Sequence, residues 1–173
     1  MTAARLRGTD FPPFLRTDFT DDEAWEALLA EVDKGWVTPL ADPSHRDLSV
    51  PELTALVPDG SAYRVLVVAD RVTFSSDERT LLLIDVREEP GRTFRAVPDA
   101  CESAVGLMTI GHRFFDDYLD LLPASGVHRL SERHHRAAAE LRGQLQPHTD
   151  VVPAPPAPRV DPAGPDTPPD PSP

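Results

Sequence analysis

The sequence predicts one α/β domain built on a mixed five-stranded sheet, and three observations carry that prediction. Two short runs, Val65–Ala69 and Leu81–Ile84, are apolar at every position, which marks strands covered on both faces. Before them, strand-like and helix-like patterns alternate, the arrangement that yields parallel strands joined by right-handed crossovers. After Pro98 apolar residues recur at helical spacing, so helices are left to cover the sheet.

Residues 1–13 read as an irregular arm, because Gly8, Pro12 and Pro13 interrupt any helix. Phe14–Asp18 is the first strand. Thr20-Asp21-Asp22-Glu23 then opens a helix as a capping box, with Thr20 as N-cap, Glu23 reaching back, and Trp25, Leu28, Leu29 and Val32 as the apolar stripe. Gly35 ends it, and Trp36–Ala41 is the second strand. Ser49 as N-cap and Pro51 in the first turn mark a short helix over 50–57. Strand, helix, strand, helix, strand makes the first three strands parallel. Too few residues separate Asp70 from Thr80 for a helical crossover of about a dozen, so the fourth strand returns antiparallel. The fifth, Thr93–Val97, follows the turn at Pro90-Gly91. Helices are predicted over 99–110 and 112–122, with a break at Pro123–Gly126. The α/β domain is thus placed at 14–130, followed by a C-terminal helix over 131–146. Residues 147–173 alternate Pro with Ala, Asp and Val, which reads as a disordered, polyproline-type tail.

Composition narrows the function. Of 173 residues, 20 are Pro, concentrated at the end, and the net charge is −12. Such acidity excludes unassisted binding to nucleic acid or anionic membrane, which requires a basic surface. The first residues contain no apolar leader and no apolar run would span a bilayer, so a cytoplasmic protein is expected. Cys101 is the single cysteine, which rules out an internal disulfide and a multi-cysteine zinc site. No Gly-rich phosphate loop, Gly-x-Ser-x-Gly elbow or zinc-protease histidine spacing occurs. The histidines His112, His128, His134, His135 and His148 read as a solvated set.

Topology singles out one set of carboxylates. If the first three strands are parallel, their ends at Asp18, Asp42 and Asp70 share one sheet edge, where ligands of open α/β sheets bind. Asp18 and Asp70 could there hold Mg²⁺ through oxygen ligands, with a phosphate beyond it. The competing reading is structural, since aspartate at a strand end commonly bonds backbone N–H groups of the next loop or helix. On that reading no cofactor is required. Asp85 is a second oddity, a carboxylate inside an apolar strand. It needs a partner, and Arg16, Arg92 and Arg95 are the candidates for a structural ion pair.

The segments Arg16-Thr17-Asp18-Phe19, Asp21-Asp22, Ala24-Trp25, Val68-Ala69-Asp70-Arg71, Leu82–Asp85 and Glu88-Glu89-Pro90-Gly91-Arg92-Thr93-Phe94-Arg95 carry a resemblance. Over roughly 14–130 the chain resembles a family of small proteins from high-GC Gram-positive bacteria (domain of unknown function, family 6924). The resemblance implies a shared fold and brings no activity. Members often carry asparagines in the helix after the last strand, and Glu102-Ser103-Ala104-Val105-Gly106-Leu107 lacks them. The residues themselves favour a non-catalytic, acidic module that binds another, basic protein. The alternative is a small Mg²⁺-dependent enzyme or phospho-ligand binder using Asp18, Asp42 and Asp70.

Overall fold

The computed structural model describes residues 5–32, 35–132 and 136. The helix expected over 131–146 and the Pro-rich tail lie outside these residues, apart from 131, 132 and 136, as do His134, His135 and His148. The strands are β1 (Pro13–Arg16), β2 (Thr38–Leu40), β3 (Val65–Ala69), β4 (Leu81–Asp85), β5 (Thr93–Ala96) and β6 (Val127–His128). The helices are α1 (Asp22–Val32), α2 (Val50–Ala55), α3 (Arg71–Ser75), α4 (Pro98–Thr109) and α5 (Phe115–Asp120). They form the mixed α/β domain expected from the patterning, around one sheet in the order β2-β1-β3-β4-β5-β6. β1 pairs parallel with β2 and with β3, and β3–β4 and β4–β5 are antiparallel.

The sheet has six strands, not five. β6 pairs parallel with β5 through Arg95↔Val127 and Ala96↔His128. Two residues are too few for a period-2 signal, and this pair follows a break that looks like plain loop. The short β3–β4 connection does force an antiparallel return, and it also coils into the single turn of α3. Asp70 nucleates that turn by accepting from the Thr73 N–H at 3.0 Å. The start of α1 also departs from expectation: Asp21, not Thr20, does the capping, accepting from the Ala24 N–H at 2.9 Å. The Thr20 hydroxyl instead donates to Asp18 at 2.7 Å.

Successive strand residues point to opposite faces, and the sheet accordingly carries two apolar layers. Phe14, Val65, Val67, Leu83 and Phe94 pack under α1, α4 and α5 with Trp25, Leu28, Met108 and Phe115. Leu15, Leu66, Val68 and Ile84 face the other way, onto Leu53 of α2, Tyr63 and Leu6 of the N-terminal arm. Cover on both faces is the reason β3 is apolar throughout and β4 is apolar as far as Ile84. Among the described residues no helix is long and apolar enough to cross a membrane.

Candidate functional site

The strand order reverses beside β1. The chain leaves β1 for β2 on one side and reaches β3 on the other, so the loops after β1 and β3 diverge at a switch point, the usual ligand crevice of open α/β sheets. Register places Arg16 opposite Ala69, which brings the segments carrying Asp18 and Asp70 side by side. Asp42 follows β2, on the far side of β1.

Each of the three carboxylates is engaged locally. Asp18 is buried and accepts from the Thr20 N–H at 2.9 Å and from its hydroxyl. Burial raises the Asp18 carboxyl, but the Thr20 hydrogen bonds and the nearby Arg71 and Arg16 guanidinium groups prevail and hold it below the ordinary value. Asp42 is exposed and caps the 3-10 turn Pro43–His45 by accepting from the Ser44 N–H at 2.8 Å, a bond that lowers its pKa. Asp70 caps α3 and pairs with Arg95, whose guanidinium also donates to the Thr80 carbonyl at 3.2 Å. The Thr73 hydroxyl donates to the same carbonyl at 2.9 Å, so one network ties β3, α3, β4 and β5. Among the described residues no group of three or more His, Cys, Asp or Glu side chains is placed to hold a metal ion.

These engagements set a testable expectation. Asp70→Ala should cost about 1–2 kcal/mol through loss of the cap and its ion pair, and Asp18→Ala about 1 kcal/mol. Thermal melts should show both losses, with the parent's melting point unmoved by millimolar Mg²⁺. A parent stabilised by Mg²⁺, with that gain abolished by either substitution, would restore the metal reading.

Asp85 lies at the opposite end of the sheet, paired in register with Val65. It is fully buried and accepts from the N–H groups of Arg87, Glu88 and Glu89 at 2.8, 3.1 and 3.0 Å. Arg92 completes the set, its Nη2 lying 2.8 Å from the carboxylate. Burial pushes the Asp85 carboxyl up, and these hydrogen bonds more than offset it, so the group titrates below its ordinary value. Of the three candidate arginines only Arg92 reaches it. Arg16 ends β1 at the other edge and bonds Asp22 at 2.8 Å while stacking on Phe19 and Trp25. Arg95 lies opposite Leu82, toward the Asp70 end. In an antiparallel strand, nearness in sequence did not indicate which end of the sheet each residue occupies.

Cys101 is fully buried, and burial drives its thiol pKa far upward, which removes it as a nucleophile at neutral pH. Two features escaped the sequence reading. A cavity of about 220 Å³ lies between α4, α5 and β6, lined by Leu107, Arg113, Tyr118, Leu121, His128 and Leu130 among others. A second, of about 250 Å³, lies between the end of α2 and the β4–β5 connection. Each is lined in part by a buried tyrosine: the Tyr118 hydroxyl makes no hydrogen bond, and the Tyr63 hydroxyl lies beside the Ser61 hydroxyl. Burial raises both phenol pKa values. The only available signal was that the chain has just two tyrosines.

A parallel switch point closed by antiparallel strands, with its edge carboxylates drawn into caps and ion pairs, defines a small mixed α/β domain. The family model described as Domain of unknown function (DUF6924) matches residues 11–131. The chain belongs to that family. No curated protein matches it.

Proposed function

We propose that the protein is a non-catalytic module that binds another protein in the bacterial cytoplasm through the corner where α4 meets α5. The supporting observation is the exposure of three large apolar side chains within 110–121: Ile110, Phe114 and Leu121, at 75%, 49% and 60%. Phe114 and Leu121 cap the two ends of α5 and so bracket that helix. Leu121 also lines the 220 Å³ cavity, whose wall carries the unpartnered Tyr118 hydroxyl. Apolar groups around a side-chain-sized hollow are the usual seat of an anchor residue.

Charge narrows the partner. Asp116, Asp117 and Asp120 lie along α5 between the apolar residues, and the whole chain carries −12. A basic, amphipathic segment complements such a surface. The aspartates at the switch point add nothing to a catalytic reading, being engaged in local caps and, for Asp70, an ion pair with Arg95.

The test uses the full chain as bait in a lysate of its source, beside Leu121→Asp and Val72→Asp, the latter altering an exposed valine on α3. A partner retained by the parent and Val72→Asp, lost by Leu121→Asp and released by salt supports the reading. Titration of that partner as a purified protein should show at least about tenfold weaker binding to Leu121→Asp. Identical captured sets for parent and Leu121→Asp would sink it.

A further inference from the structure

We infer that the α4–α5 corner is occupied in cis: segment 137–145 of the same chain docks its apolar side on the 220 Å³ hollow beside Leu121, and a partner must displace it. The inference rests on the docking surface proposed above and adds its regulation. The hollow lies among Leu107, Tyr118, Leu121 and Leu130. At about 30 Å³ per water molecule it holds roughly seven waters, room for a leucine side chain.

Chain continuity names the occupant. Leu130, packed on the main core, and Ser131 form one rim of the hollow, so the chain from 132 to 173 leaves the domain at the site itself. A segment tethered this closely competes at an effective concentration in the millimolar range.

The sequence of the segment gives its docking side. Glu132 and Arg136 are helical and exposed, and residues four apart share one side of a helix. At about 3.6 residues per turn, the helix expected over 131–146 carries Ala138, Leu141 and Leu145 on the opposite side. Charge agrees with this placement. Segment 131–146 holds three arginines against two glutamates, whereas 147–173 holds four aspartates against one arginine. On α5, Asp116 is held by Arg92 and Asp117 by the Phe114 N–H, while Asp120, next to Leu121, forms no ion pair among the described residues. Arg113 on the cavity wall lies over the Tyr118 ring and is also without an ion pair among them, so the glutamates have a counterpart too. A basic, amphipathic segment is the complement of this corner, and the chain supplies one.

A nitroxide attached at Gln144→Cys reads the contact in the full chain, because Cys101, the single native cysteine, is fully buried. The amide signals of Leu107, Tyr118 and Leu121 should broaden, the broadening should survive dilution, and Leu141→Asp combined with Leu145→Asp should abolish it. Absence of broadening at these positions, or broadening that the double substitution leaves in place, overturns the inference. Broadening that fades on dilution assigns the hollow to a second copy and overturns it equally. The partner captured in the test above should bind the double variant about tenfold more tightly than the parent, as for a corner open about a tenth of the time. Equal affinity overturns the competition. Broadening with no captured partner sinks the docking reading and leaves the cis contact standing, so the two failures are separable.

Discussion

Asp85→Ala is expected to lower stability by about 3–5 kcal/mol, the range for removing one partner of a buried, hydrogen-bonded charge pair. The substitution strands three backbone N–H groups and removes the buried partner of the Arg92 guanidinium, which keeps Asp116 and Glu89. In a domain of this size that is a fall in melting point of roughly 10 °C or more. Asp85→Asn keeps one acceptor and should lose less. Urea unfolding of the two variants is the check. A loss below about 1 kcal/mol for alanine would mean that water replaces the carboxylate freely.

The same carboxylate gives the protein an acid limit with a defined sign. Its folded-state pKa lies below the unfolded value of about 3.9. The stabilisation is therefore complete above that unfolded value and disappears as pH falls through the folded one. Asp18 and Asp42 are shifted the same way and add to the slope. Between about pH 5 and pH 2 the parent's melting point should fall more steeply than that of Asp85→Ala, which has already lost its share.

The contrast between Asp85 and the switch-point aspartates shows where sequence reading succeeds. Continuous apolar runs identified β3 and β4 because a strand covered on both faces has no polar side to show. Loop length identified the antiparallel return, and the parallel pairing it left upstream placed Asp18 and Asp70 at one edge. Asp85 was legible as a carboxylate needing a partner, because charge inside an apolar strand is costly without one. Its choice among Arg16, Arg92 and Arg95 was not legible, since that depends on register, which no local pattern encodes. The cavities were hidden for a related reason. Val57 and Tyr63 meet Val86 and Pro90 only after two strands have paired, and an orphan hydroxyl is a property of surroundings, not of composition. β6 was lost because two residues carry no periodicity.

Adjacent phenylalanines should separate stability from binding. Phe115→Ala is expected to cost about 3–5 kcal/mol, as for other buried phenylalanines. Its ring is 1% exposed, packs 4.9 Å from Phe94 on β5 and lies under the Arg92 guanidinium at 5.6 Å. Phe94 in turn stacks on Tyr118 at 5.4 Å, so the deletion loosens α5 from the sheet along its whole length. Phe114, one residue earlier, is half exposed, with the Arg64 guanidinium over its ring at 5.8 Å from the centroid. Phe114→Ala should change stability by less than about 0.5 kcal/mol, yet weaken the partner that the α4–α5 corner is proposed to hold. The pair therefore distinguishes a docking surface from a merely exposed side chain. If Phe114→Ala leaves partner affinity unchanged while Leu121→Asp abolishes it, the interface centres on the Tyr118 cavity and not on the start of α5. If both leave it unchanged, the corner is not the interface. Equilibrium unfolding and titration on the same four proteins, parent included, give both answers, because a destabilised Phe115→Ala that still folds should lose affinity by displacing the helix that carries Leu121.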